Sequence, residues 1–184
     1  MAIVSTTEVK RFMLPGMSVD DTTLSQLIDA VFSDMEINTG RWFNYDTYTE
    51  ILSGGDYDRP RTFLFLKGVA VSKLNSIAIN DIEQDVTEFS IDDNDIIRYV
   101  STFPVYFPSG VNNIVIEYIS GYGTGTGQTQ APAGLKQAII DEVILRYEYY
   151  FSESRVGENI VDLKKTFLSS KVENILNKYK RISI

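Results

Sequence analysis

Three stretches of this chain bring together residues that could do chemistry, and each lacks the partners that chemistry requires. Gly121-Tyr122-Gly123-Thr124-Gly125-Thr126-Gly127 lies between a strand-like run and a helical one, where a phosphate-binding loop would sit. A dinucleotide fingerprint needs its glycines to open the helix inside a parallel βαβ unit. Here the helical pattern begins only at Pro132, the strand belongs to an antiparallel run, and no Gly-Lys-Ser or Gly-Lys-Thr is present. The segment reads as a crossover loop. Asp92-Asp93-Asn94-Asp95 offers carboxylates to a calcium ion, but lacks the glycine and distal glutamate of an EF-hand loop, and reads as a solvated turn. Asp141 and Glu142 are adjacent, so on a helix they point about 100° apart and cannot act as an acid/base pair on one face. No metal site and no cofactor is expected.

Composition narrows the field further. The 184 residues include no cysteine and no histidine. That removes disulfides, thiolate ligands and thiol nucleophiles, and with them the commonest general base and metal ligand. An enzyme is not expected. With 43% hydrophobic and 12% aromatic residues the chain can bury a real core. Residues 1–5 have neither a basic region nor a long apolar run, so no secretory signal is read there. Nothing approaches the roughly 20 apolar residues of a membrane span.

The formal net charge of −8 argues against a general nucleic-acid binder. It is unevenly spread. Residues 162–184 hold six bases against two acids, net +4, which leaves −12 for the rest. A basic arm on an acidic body fits an interaction segment. The run 81–95 holds seven acids (Asp81, Glu83, Asp85, Glu88, Asp92, Asp93, Asp95) and no base. It reads either as a soluble loop face or as an acidic surface that repels DNA.

The elements that position these residues follow from periodicity. Ser5-Thr6-Thr7-Glu8 is a capping box with Val4 and Val9 as its staple, opening a helix over 5–13 that Leu14-Pro15-Gly16 stops. A second helix, 22–39, buries Leu24, Leu27, Ile28, Val31 and Met35 and ends at Gly40. The period then shortens. Strand patterns occupy the aromatic-rich run 41–52, then 62–66, 74–79, 88–91, 96–100 and 114–119. Turns at Asn80-Asp81 and 92–95 separate some of them, while the prolines of 103–108 confine that run to an edge or a loop. Pro132 then opens a long helix, 132–151.

The apolar side chains of that long helix, from Leu135 to Phe151, cover an arc of roughly 180°, against the ~100° an ordinary surface helix needs. Leu145 and Tyr149 lie beyond even that arc. The helix is either deeply buried or shared with a neighbouring subunit, through Leu145 and Tyr149. Tyr147-Glu148-Tyr149-Tyr150-Phe151 could stack a base but reads as core. After an irregular stretch, 152–165, Ser170-Lys171-Val172-Glu173 reads as a second capping box. It opens a helix, 171–181, with Val172, Ile175, Leu176 and Tyr179 on one face.

The fold class is therefore α+β: a helical hairpin, a long helix and a C-terminal helix, with an antiparallel β module inserted at 41–120. The division is one domain over 1–151 and a C-terminal arm over 152–184.

The order of these pieces resembles the head–tail connector (adaptor, or head-completion) proteins of tailed bacteriophages. The resemblance rests on Thr7-Glu8-Val9-Lys10-Arg11-Phe12, then Glu36-Ile37-Asn38-Thr39-Gly40-Arg41 at the end of the second helix. It continues with Val115-Ile116-Glu117-Tyr118-Ile119-Ser120-Gly121-Tyr122-Gly123 and Ala131-Pro132-Ala133-Gly134-Leu135-Lys136-Gln137-Ala138 before the long helix. It spans about residues 4–151, the connector domain. The resemblance implies a structural protein of the virion neck, assembled in the host cytoplasm, that forms a ring beneath the portal. It implies a cyclic homo-oligomer matching twelve-fold portal symmetry, with the portal and a downstream neck or tail-completion protein as partners.

Packaged DNA would pass through without specific binding, no membrane would be involved, and the seven acids of 81–95 would line the channel or a docking surface. The arm's short helix must bury its apolar face on a surface, either the protein's own acidic body or the portal. The resemblance favours the portal, bound through Val172, Ile175, Leu176 and Tyr179, helped by Lys178, Lys180 and Arg181. Two other classes remain open on the residues alone: a ligand- or glycan-binding β module of a tail or receptor-binding component, and an enzyme working through carboxylates.

Overall fold

The computed structural model describes residues 3–13, 19–56, 58–154 and 168–180. The expected helix stop at 14–16, the stretch 155–165 and Arg181 lie outside the described residues. The chain divides into two compact units, one drawing on Met1–Arg41 and Gln130–Ile184, the other on Trp42–Thr129.

The first unit is helical. In α1 (Thr6–Phe12) the Ser5 hydroxyl accepts the Glu8 N–H at 3.2 Å, and the Glu8 carboxylate accepts the Ser5 N–H at 2.8 Å. This is the reciprocal capping box, with Val4 and Val9 both buried beside it. In α2 (Asp21–Thr39) Asp20 caps the Thr23 N–H, and Gly40 closes the helix in the left-handed region at φ 66°. Its buried face is Leu24, Ile28, Val31, Phe32 and Met35.

The long helix α3 (Ala133–Ser154) packs against α1, α2 and α4 (Ser170–Leu176). The Pro132 carbonyl accepts the first helical N–H groups, from Leu135 and Lys136. Pro132 thus stands just before the first turn, and α3 runs on to Ser154 instead of ending at 151. Leu135, Ala138, Ile139, Ile140, Val143 and Tyr147 are buried, so three neighbouring helices account for the width of the apolar arc.

The second unit is β. Strands β1 (Asp46–Leu52), β2 (Gly55–Asp56), β3 (Arg59–Pro60), β4 (Phe63–Phe65), β5 (Lys73–Ile79), β6 (Ile82–Glu83), β7 (Phe89–Ile91), β8 (Ile96–Tyr99) and β9 (Ile114–Ser120) are antiparallel wherever they pair. A four-stranded sheet has the order β1-β9-β5-β6, and a three-stranded one β4-β8-β7. The β5–β6 hairpin turns at Asn80 and Asp81, both at positive φ (51° and 62°), as a two-residue turn matching the strand twist demands.

Central β9 buries Ile114, Ile116 and Tyr118 on one face, joining Ile77, Ile79, Leu64, Ile97 and Phe89 in one core. The run 41–52 is a strand only from Asp46. Trp42 and Asn44 instead make isolated parallel bridges, to Gly68 and Tyr122. The glycine loop is closed by its own chain. Gln128 Oε1 accepts the Gly125 N–H at 2.7 Å, and a Cβ at Gly123 would meet that oxygen at 2.0 Å. A phosphate has no cradle there.

Glu50, Asp95 and Ser120 are polar groups buried inside the β unit. Glu50 on β1 is 4% exposed; its Oε1 accepts the Lys67 N–H at 2.5 Å and the Tyr118 hydroxyl, which itself accepts the Gly68 N–H at 2.9 Å. Tyr118→Phe should cost about 1.5–3 kcal/mol, the range for a hydrogen bond to a charged group. The measurement is urea unfolding of the full chain. A loss under about 0.5 kcal/mol, the scale of a neutral surface change, would show that Glu50 does not depend on the phenol.

Candidate assembly surfaces

The seven acids of 81–95 do not behave as one surface. Asp95 is 7% exposed, its carboxylate accepting the Val71 N–H at 2.9 Å. It cannot face a channel, because it is buried in holding the Leu66–Val71 connection, whose Leu66 N–H its carbonyl also accepts. Asp92 organises the turn: one oxygen accepts the Asn94 and Ile96 N–H groups, and the other pairs with Arg98 at 2.7 Å. Asp85 caps the short 3-10 turn Val86–Glu88 through the Thr87 N–H and hydroxyl, and the backbone bond chiefly lowers its pKa. Asp85 is itself exposed, as are Asp81, Glu83, Glu88 and Asp93. Among the described residues no group of three or more acids is placed to hold a metal ion.

On α3, Leu145 (51% exposed) and Tyr149 (48%) stand one turn apart on the outer face. The neighbouring carboxylates Asp141 and Glu142 do different work. Glu142 is buried; its Oε1 pairs with Arg146 Nε at 3.1 Å, and Arg146 reaches Asp34 of α2 at 2.8 Å. Its Oε2 accepts the Ser169 N–H at 3.0 Å. Asp141 pairs with Lys171 at 2.5 Å and accepts from Gln137 at 2.8 Å.

These bonds correct the expected second capping box. Ser169, not Ser170, is the N-cap of α4, and it makes no side-chain cap bond. Glu142, from another helix, accepts the Ser169 N–H, and with the cap at Ser169 Glu173 falls at N4, one position past the N3 that a capping box needs. Val172 and Leu176 are buried within this unit, Ile175 and Tyr179 half-buried, and Lys178 and Lys180 exposed. As placed, Val172 and Leu176 are not available to a partner.

Sequence reasoning missed a further surface. The run 103–108 forms no strand, and only Phe107 of it is buried. Val100, Phe103, Val105 and Tyr106 are exposed around it. The signal was present as an uncharged stretch between Arg98 and Glu117. No described helix is long and apolar enough to cross a membrane.

A family model, "Head completion protein", matches residues 2–182. The chain belongs to the head completion protein family. Solved structures share the fold of this family member. "Neck of empty GTA particle computed with C6 symmetry" matches with TM-score 0.64 at 13% identity, covering 99% of this chain and 91% of that one. "Virion of native gene transfer agent (GTA) particle" gives 0.63 at 11%, with 99% and 91% covered. "Neck of native GTA particle computed with C12 symmetry" gives 0.55 at 14%, with 89% and 85% covered. No curated protein matches. For this head completion protein the relevant geometry is therefore its outward surfaces and whatever holds its terminal helix in place.

Burial raises the Asp141 pKa, but the hydrogen bonds from Lys171 and Gln137 and the Lys171 charge outweigh it, and the net shift is downward. A lowered folded value stabilises the ionised, folded form. The contribution is complete above the ordinary Asp value of about 3.9 and is lost as pH falls through the folded value. Because Lys171 is 67% exposed, it amounts to less than about 1 kcal/mol. Asp141→Asn should lower the melting temperature by a few degrees at pH 5–8 and by nothing once both pKa values are passed. A gap that persists in strong acid would mean the carboxylate is not its source.

Proposed function

We propose that this protein is a structural part of the virion neck that forms a ring beneath the portal, extends the DNA channel and docks the next neck component. The family match over residues 2–182 carries this reading. Related folds in necks described with C6 and C12 symmetry support cyclic closure, matched to a twelve-fold portal. Assembly takes place in the host cytoplasm, on the portal, and the free subunit is a monomer or weakly associated.

Each surface has a part in this reading. Leu145 and Tyr149 meet the neighbouring subunit. The exposed acids Asp81, Glu83, Asp85, Glu88 and Asp93 line the channel, where the absence of phosphate contacts lets DNA slide without sticking. Lys178 and Lys180, with Ile175 and Tyr179, face the portal, as a basic terminus docking by its helical side would. The reading gives no residue a catalytic role.

The test is co-assembly of full-length variants with the portal, followed by native mass measurement and negative-stain imaging. Tyr149→Glu should leave the subunit folded and yield no rings; normal rings from this variant would remove that face of α3 from the interface. Lys178→Glu with Lys180→Glu should reduce co-purification with the portal at least tenfold. Lysine at Asp81, Glu83, Glu88 and Asp93 should make isolated rings retain DNA at low salt, and unchanged retention would place those acids outside the channel.

A further inference from the structure

We propose that the uncharged loop 100–106 is the other half of the ring contact, packing Phe103 and Tyr106 against the Leu145–Tyr149 face of α3 on a neighbouring copy. The inference rests on the ring reading above and names the surface that meets α3. A ring closes by heterologous contacts, in which each subunit contributes two different, complementary patches. The outer face of α3 supplies one. The loop is the other concentrated apolar surface among the described residues.

Phe103 is 77% exposed, with Val100, Val105, Tyr106 and Val111 also exposed nearby. The remaining large exposed apolar residues, Phe12, Ile37, Ile51 and Ile82, sit singly on α1, α2, β1 and β6, as ordinary surface residues do.

Charge favours a second copy as the occupant. Each chain carries a net −8, so copies repel wherever acids meet. No charged residue lies between Arg98 and Glu117, so the loop sets no like charge against the exposed Glu148 beside Tyr149 on the facing helix. Aromatic side chains set against an apolar face also make the kind of desolvated anchor that dominates interface energies.

The loop is held ready for such a contact. At one end the Val100 N–H donates to the Glu88 carbonyl at 2.7 Å. At the other, the Phe107 N–H donates to the Arg61 carbonyl at 2.8 Å, and its buried ring lies 5.0 Å from Tyr99 and 6.2 Å from Phe89. Beyond it, Asn113 Nδ2 donates to the Pro108 carbonyl at 3.0 Å. Anchoring at both ends lowers the ordering cost of association. Pro104 and Pro108 have no N–H to offer a foreign strand, so contact falls to side chains and not to ladder pairing.

The chain has no cysteine, so engineered thiols report unambiguously. Full-length Phe103→Cys/Leu145→Cys protein, assembled with the portal and oxidised, should run on a non-reducing gel as a ladder of covalent multimers that reductant collapses. Each single variant should stay monomeric. If the double variant fails to fold, Val105→Cys/Tyr149→Cys tests the same contact.

Rings that form normally but give no ladder with either pair would overturn the inference and leave the ring reading intact. Dimers from Phe103→Cys alone would overturn it too, by placing loop against loop. So would capture of a different neck protein by a photo-crosslinker attached to the thiol of the Phe103→Cys variant. Absence of rings from the wild-type chain with its portal would be the failure of the ring reading itself.

Discussion

A carboxylate taken out of water must receive its hydrogen bonds from whatever surrounds it, and this constraint organises both units. Desolvating such a group costs several kcal/mol unless fixed donors replace the water. Glu142, 2% exposed, is answered by Arg146 and by the Ser169 N–H, and Arg146 is in turn held by Asp34. One buried charge thereby joins α2, α3 and α4. In the β unit one oxygen of Glu50 does the same for β1, β9 and the connection at Lys67, through the Lys67 N–H and the Tyr118 hydroxyl, while its Oε2 is buried without a hydrogen bond among the described residues. Removing one member of such a pair leaves an uncompensated buried charge, which costs more than the intact pair contributes.

With the interior committed in this way, the outward surfaces are what a head completion protein has to work with. The α3 helix spends most of its apolar arc on three helical neighbours, leaving Leu145 and Tyr149 outside. The β unit places its aromatics inward at Phe89, Tyr99 and Phe107 and outward at Phe103 and Tyr106. On a strongly acidic chain, self-association has to find surfaces where like charges do not meet. The uncharged loop 100–106 meets that requirement on its own side of such a contact. The acids themselves divide between exposed positions such as Asp81 and Glu83 and structural ones such as Asp92 and Asp95.

What the sequence determined by itself is the set of features settled within a few residues of one another. The Ser5–Glu8 box, the Gly40 cap, the Asn80-Asp81 turn, the face of α2 and the strand run of β9 all depend on neighbours no more than a few positions away. Helix and strand periods and cap chemistry are local physics, so they were legible before any fold was known.

Only the tertiary structure decided which polar residues are surface and which are framework. Asp95 and Asp93 look alike in sequence, yet one is buried because the Val71 N–H, 24 residues earlier, arrives at its carboxylate. Glu142 finds its donor in Ser169, 27 residues later, and Glu50 in Lys67, 17 residues later. The same distance effect moved the cap of α4 from Ser170 to Ser169. A carboxylate's role depends on the donors folding brings to it, and no local pattern records groups that become neighbours only when the chain closes on itself.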